Sequence, residues 1–298
     1  MRPRAASIAA LALALAACGR ADPSAPALTG PTQPRDTVVP QGYFALTVQG
    51  MFRAYRVHLP SPARSGKLPL VIALHGATDN AANFERGTGL DSIADREGFV
   101  VAYPDGIAHM WNAGGPYEAW LAGVNDVAFI SALVDTLATR YAIERGRVFV
   151  TGHSNGGYLA YRLAHELSYK LTGVAPVGAS EIDARYQAPT APVALLHLHA
   201  LDDGIVPMAG KEFYGSRTLP VETVLTYWRW LQRCSSPPDT LVATGDVLGL
   251  RWRSADGRGD VAQYTVAIGG HTWFTATDGA HLPASEVIWS FFRSIPSK

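Results

Sequence analysis

Between Arg147 and Ala164 the chain runs Arg147-Val148-Phe149-Val150-Thr151, then Gly152-His153-Ser154-Asn155-Gly156, then Tyr158-Leu159-Ala160-Tyr161-Arg162-Leu163-Ala164. The first run is apolar in the manner of a strand buried on both faces, and the last has helical spacing. A strand that passes into a helix over so few residues must reverse in a very tight turn, with Ser154 alone at its apex. The flanking glycines meet the steric demand of that turn, because a Cβ at either place would strike the neighbouring strand or helix. G-x-S-x-G spacing by itself is a weak match. The strand before it and the helix after it give it meaning.

The rest of the chain alternates in the same style. Two stretches of alternating apolar residues, 43–48 and 52–59, flank Gly50 and predict an antiparallel hairpin. Runs at 68–74 and 99–103 are nearly continuous in apolar residues and suit the interior of a parallel sheet. Residues 81–97 read as helical with an irregular, glycine-containing middle. Val127, Ile130, Val134, Leu137 and Tyr141 recur at steps of three and four, with Asn125 or Asp126 placed to cap the helix. Further strands are expected at 173–177, 193–198 and 261–268, and helices at 221–233 and 284–293. Such alternation predicts a doubly wound, mostly parallel α/β sheet with an antiparallel N-terminal hairpin, in a single domain over 41–298. A chain of 298 residues is long enough to give that domain a deep core.

The first forty residues differ in kind. Arg2 and Arg4 precede an apolar stretch, 8–17, that is too short to cross a bilayer and has the form of a signal peptide. It closes on Leu15-Ala16-Ala17-Cys18-Gly19, which resembles the bacterial lipobox, in which cleavage leaves the cysteine as an acylated N-terminus. An ordinary secretory signal with an incidental Cys18 is the alternative. A lipid on Cys18 would anchor the protein to a membrane without spanning it. Gly19 in the place after that cysteine resembles outer-membrane sorting in Gram-negative bacteria. Residues 18–40, rich in Pro, Ala, Thr and Ser, read as a solvated tether. Cys18 and Cys234 cannot make a disulfide framework, and Cys234 is expected to be buried and inert. With 17% charged residues and a formal net charge of +0, the chain lacks the basic excess of a nucleic-acid binder.

A serine hydroxyl at neutral pH is a poor nucleophile unless a base lies within hydrogen-bond reach and a carboxylate orients that base. Two later segments offer these groups. The run Val193-Ala194-Leu195-Leu196-His197-Leu198-His199 leads into Ala200-Leu201-Asp202-Asp203, and Tyr264-Thr265-Val266-Ala267-Ile268 leads into Gly269-Gly270-His271. Both deliver a side chain to the carboxyl edge of the sheet, where sites in open α/β folds lie. Serine, then acid, then histidine is the chain order of the α/β-hydrolase fold, which is the fold class expected here. Asp202 and Asp203 both remain candidates on position alone. The developing oxyanion needs preplaced N–H donors. Asn155, next after the serine, should give one, and Ala77 or an immediate neighbour in His75-Gly76-Ala77-Thr78 the other. His197 and His199 form an H-x-H pair with no evident third ligand, so neither a metal nor another cofactor is expected. Trp111, Tyr117, Trp120, Trp273 and Phe274 are candidate walls for a flat acyl or sugar group, against the plainer reading that they pack the loops.

Taken together, several segments resemble the esterase family that groups polyhydroxybutyrate depolymerases with bacterial feruloyl and acetylxylan esterases. They are Pro69-Leu70-Val71-Ile72-Ala73-Leu74-His75-Gly76, Tyr103-Pro104-Asp105-Gly106, Trp111-Asn112-Ala113-Gly114, Asn125-Asp126-Val127-Ala128-Phe129-Ile130, 152–157, Asp203-Gly204-Ile205-Val206-Pro207, 269–273 and 284–292. In family order they span the chain from about residue 42 to its end. The resemblance implies Ser154 as nucleophile, His271 as base, and Asp203 rather than Asp202 as acid, since the family's aspartate stands three residues before the Val of its Val-Pro. It also implies ester substrates: feruloyl or acetyl groups on polysaccharides, or short hydroxyalkanoates. There are departures. Gly115-Pro116-Tyr117-Glu118-Ala119-Trp120 stands where relatives often carry a cysteine, and Phe274 replaces the usual proline. The chain shows no added substrate-binding domain, so efficient attack on crystalline polymer is not expected. A serine peptidase of the same fold and a non-catalytic glycan-binding lipoprotein are the rival readings.

Overall fold

An apolar run with no polar face belongs in the middle of a sheet, and residues 68–74 take that place. In the computed structural model, residues 41–183, 186–275 and 282–298 are described. The signal segment, the tether and Cys18 lie outside the described residues. In chain order the strands are β1 (Phe44–Val48), β2 (Met51–His58), β3 (Leu68–Leu74), β4 (Val100–Pro104), β5 (Ile143–His153) and β6 (Gly173–Val177). They continue with β7 (Ala194–Ala200), β8 (Lys211–Phe213), β9 (Ser216–Thr218), β10 (Asp239–Ala243), β11 (Val247–Trp252) and β12 (Val261–Val266). The helices are α1 (Ala81–Thr88), α2 (Leu90–Glu97), α3 (Pro116–Trp120), α4 (Asp126–Arg140), α5 (Asn155–Glu166), α6 (Val221–Leu231) and α7 (Ala284–Ser294).

Among the described residues, ten strands form one sheet in the order β1-β2-β4-β3-β5-β6-β7-β12-β11-β10, and β8 pairs with β9 apart from it. The run from β4 to β12 in that order is parallel throughout. Side chains alternate across it, as the two-residue period of a strand requires. Leu70, Ile72 and Leu74 enter one apolar layer, which they share with residues of α4, α5 and α6. Val71 and Ala73 enter the other, with residues of α1, α2 and α7.

The N-terminal hairpin forms as expected, β1 pairing antiparallel with β2 and β2 with β4. The far edge was not anticipated. There β11 runs antiparallel to β12, and β10 to β11, so the sheet is antiparallel at both margins. β10 is exposed along most of its length and β11 alternates between buried and exposed residues. Neither has the continuous apolar run of an inner strand.

Local chemistry fixes the ends of the helices. Gly89, at φ 69°, breaks residues 81–97 into α1 and α2, in a left-handed conformation that favours glycine. Asn125 caps α4, its side chain accepting the Ala128 N–H at 2.9 Å. Next to that cap, Asp126 is buried against Arg53 at 2.6 Å, and its second oxygen accepts the Asn112 N–H at 2.6 Å. Arg53 also donates to the Asp105 carbonyl at 3.2 Å, so one buried ion pair secures both ends of the 105–112 loop. Cys234 is half-buried rather than buried, its thiol 3.5 Å from the Gly259 carbonyl, and burial raises its pKa to about 11.

Candidate active site

The reversal after β5 places Ser154 at φ 53° and ψ −118°, a conformation that a serine adopts only under constraint. The constraint is steric and comes from both sides. A Cβ on Gly152 would stand 2.5 Å from the Gly156 carbonyl oxygen, and one on Gly156 would stand 2.3 Å from the Leu74 carbonyl oxygen. Strand β3 and the start of α5 therefore touch backbone to backbone at these glycines. The Ser154 N–H donates to the Val177 carbonyl at 2.9 Å, which ties the apex to the end of β6.

Two loops at the same end of the sheet reach that apex. His271 Nε2 lies 2.8 Å from Ser154 Oγ, and His271 Nδ1 lies 2.7 Å from Asp203 Oδ2. The other oxygen of Asp203 accepts the N–H groups of Ile205 at 2.9 Å and Val206 at 2.8 Å. Burial alone would raise the Asp203 pKa. Hydrogen bonds from His199, His271 and the Val206 N–H outweigh it and hold the carboxyl well below the usual carboxylate range. Asp202 also has a role, and a different one. Its Oδ1 accepts the N–H groups of Gly269 at 2.9 Å and Gly270 at 2.8 Å, latching the loop that carries His271.

Facing the apex is the loop after β3. His75 Nδ1 donates to the Gly76 carbonyl at 2.7 Å and its Nε2 accepts the Gly106 N–H at 3.0 Å, which defines a neutral ring. Burial lowers its pKa in agreement with that assignment. The Thr78 N–H is committed to the His109 carbonyl at 2.9 Å, which removes one of Ala77's neighbours as an oxyanion donor. The Asn155 N–H begins α5, where helix geometry leaves amides without intrahelical partners. The Asn155 side chain locks the facing loop, accepting the Trp111 N–H at 2.7 Å and donating to the Trp111 carbonyl at 3.1 Å. Sequence reasoning credited Asn155 with its backbone only.

The aromatic candidates divide. Trp111 is 0% exposed; its indole N–H donates to the His75 carbonyl at 2.9 Å and its ring lies 4.9 Å from that of His75. Phe274 is 1% exposed, within the layer under α7. Neither offers surface to a substrate; both brace the loops, which corrects the expectation that they line a cleft. Trp273 is half-buried, edge-on to Phe84 at 5.1 Å, with its indole N–H on Ser285 Oγ at 3.1 Å. Trp120 and Tyr214 are exposed and meet edge to face at 4.9 Å.

His153, in the variable position of the turn, went unread in the sequence. Its ring lies 4.8 Å from that of His271, and its buried Nε2 has no hydrogen-bond partner among the described residues. Burial, aided by the neighbouring His271, pushes its pKa down to about 3, so it faces His271 as a neutral ring.

A parallel sheet between two helical layers, with a serine at the turn after its central strand and an aspartate and a histidine on later loops, is the α/β-hydrolase fold. The acetyl xylan esterase from Aspergillus awamori has this fold with a TM-score of 0.60 at 12% identity, over 81% of this chain and 94% of that one. Residues 53–180 match the model of the esterase PHB depolymerase family, which the chain resembles. NocK of Nocardia uniformis subsp. tsuyamanensis, itself an inferred esterase, is 33% identical over 72% of this chain and 66% of its own length. A bifunctional acetylxylan esterase/xylanase from Neocallimastix patriciarum is 29% identical over 53% of this chain and 22% of its own length. The chain thus spans less than two thirds of these curated relatives. Asp203 and His271 lie beyond the segment that the family model matches.

Proposed function

We propose that this chain is a serine carboxylic-ester hydrolase that works through an acyl-enzyme on Ser154. The reading rests on the unbroken path from Ser154 Oγ through His271 to Asp203, with separations of 2.8 and 2.7 Å. His271 Nε2 takes the Ser154 proton as Oγ bonds to the ester carbonyl carbon, and the carbonyl electron pair moves onto its oxygen. The N–H groups of Asn155 and Ala77 receive that oxyanion. When the intermediate collapses, the carbon–alkoxide bond breaks and His271 returns the proton to the departing alcohol. Water then attacks the acyl-enzyme, His271 takes its proton, and Ser154 recovers that proton as the acid leaves. Asp203, held ionised, keeps Nδ1 of His271 protonated and steadies the imidazolium in both halves.

Esters of the acetyl or feruloyl kind on polysaccharides, or short hydroxyalkanoate esters, are the proposed substrates. The acetylxylan activity named for one relative and the polyhydroxybutyrate activity named for the family support that choice. Trp273, two residues beyond the base and held by Ser285, is the proposed aromatic contact. Export follows from the residue 1–17 signal, and Cys18 is the proposed point of lipid attachment. Ser154→Ala should lower hydrolysis of p-nitrophenyl acetate by roughly a thousandfold or more. A purified variant that kept the wild-type rate would end the reading. Rates across methyl ferulate, acetylated xylan and hydroxybutyrate oligomers would then rank the acyl classes.

A further inference from the structure

Asp203 Oδ2 has a second neighbour besides His271. His199 Nε2 lies 3.3 Å from it and 2.8 Å from the Val206 carbonyl oxygen. His199 Nδ1 lies 3.0 Å from His197 Nε2, and His197 Nδ1 lies 2.7 Å from the Tyr161 hydroxyl. The side chains of His199 and Asp203 have no exposed surface, and His197 and Tyr161 are buried within 1%. The two histidines stand two residues apart in β7 and so share one face of the sheet. Tyr161 belongs to α5, two helical turns beyond Ser154. One string of polar groups therefore joins the helix of the serine to the loop of the acid by way of β7.

Geometry fixes the protons along this string. A carbonyl oxygen only accepts, so His199 Nε2 carries hydrogen toward Val206. The buried Tyr161 hydroxyl has His197 Nδ1 as the acceptor for its hydrogen, so His197, kept neutral by burial, carries its own hydrogen on Nε2 and gives it to His199 Nδ1. Every donor among Tyr161, His197 and His199 has an acceptor and none of the three carries a charge in this arrangement, in accord with the burial that drives the pKa of His197 well below the ordinary histidine value. Val206 is gripped from both sides, its N–H given to Asp203 Oδ1 and its carbonyl taken by His199.

We propose that His199, backed by His197 and Tyr161, is a positioning residue that clamps the Asp203–Val206 turn and sets the carboxylate in register with His271 and Ser154. It touches no substrate and acts only through the acid. The inference rests on the serine-hydrolase reading above, and its test is chosen to fail separately. In the uniformly 15N-labelled full chain, two-bond 1H–15N spectra should show His197 and His199 each carrying hydrogen on Nε2 and none on Nδ1. An imidazolium or an Nδ1–H ring at His199 would overturn the assignment.

His199→Leu removes the donor, whereas the side-chain amide of His199→Gln can place an N–H where Nε2 stood. The leucine variant should lose roughly 10- to 100-fold in kcat with KM within about threefold. The glutamine variant should stay within about fivefold of wild type in kcat, and Tyr161→Phe should lose less than His199→Leu. Equal losses for Gln and Leu, or a loss carried by KM, would refute the clamp while Ser154→Ala remained inactive. If the leucine variant fails to fold, the ring tautomers and the glutamine variant still decide.

Discussion

The two halves of the site are held in place by different forces. On the serine side the constraint is backbone against backbone: Gly152 and Gly156 sit where a Cβ would come within 2.5 and 2.3 Å of main-chain oxygens. On the side of Asp203 and His271 it is side chain against loop. Asp202 holds the N–H groups of Gly269 and Gly270, Asp203 holds those of Ile205 and Val206, and His199 holds the Val206 carbonyl. A steric constraint tolerates no substitution that adds volume. A hydrogen-bonded one should tolerate any replacement that keeps the donor or the acceptor. The contrast therefore predicts two styles of failure, one through the fold and one through the rate.

The largest effect belongs to the serine side. Gly156→Ala drives a methyl group into the Leu74 and His75 carbonyls, at 2.3 and 2.6 Å, and the sheet cannot yield there without parting β3 from α5. A cost above about 4 kcal/mol is expected, which removes most of the margin of a domain at the low end of the ordinary range of about 5 to 15 kcal/mol. Thermal denaturation of the purified variant measures it. A variant that melted within a few degrees of wild type would show that the turn can relax, and the contrast would be broken.

Asp203→Asn comes next, and its damage should fall on rate. Oδ1 of Asp203 faces two N–H donors and Oδ2 faces the His271 N–H. Whichever way an amide is turned, its NH2 meets a donor. A loss of about 10⁴ in kcat is expected, by the logic of a base left in the wrong tautomer. The pH dependence of stability adds a sign. Since the Asp203 pKa is depressed in the folded chain, its contribution is present above its unfolded value of about 3.9 and is lost as pH falls through the folded value. The stability gap between wild type and Asp203→Asn should therefore narrow on acidification below about pH 4. A gap that widened there would mean the carboxyl is not held ionised by its neighbours.

The same division explains what could be read from the chain alone. Steric demands leave marks in sequence: Gly152, Ser154 and Gly156 at fixed spacing, and continuous apolar residues at 68–74 for an inner strand. Side-chain networks leave weaker ones, since the partners are distant along the chain. His197 and His199 were visible as a pair, but Tyr161 lies 36 residues before His197 and nothing local links them. Asp202 and Asp203 looked like competitors until the two loops were seen to need one each. Trp111 and Phe274 were read as cleft walls because sequence gives proximity to the site and not the direction of a ring. β10 and β11 escaped notice because an exposed margin strand has no apolar run to reveal it.

The smallest effect should be the most discriminating, because Asp202 is exposed. Its Oδ1 accepts both loop amides, but water can replace an acceptor at the surface. Asp202→Ala should cost roughly 3- to 10-fold in kcat and speed hydrogen exchange at Gly269 and Gly270. Asp202→Asn keeps an oxygen at the Oδ1 position and should recover most of that loss. If alanine and asparagine are both indistinguishable from wild type, the His271 loop is held by its strand and not by the latch, and His271 would then belong with Ser154 among the backbone-fixed parts. If asparagine fails along with alanine, charge rather than acceptor geometry matters at residue 202. A hydrogen-bonded half of the site would then have to be divided again, into groups that position and groups that bias the field at His271.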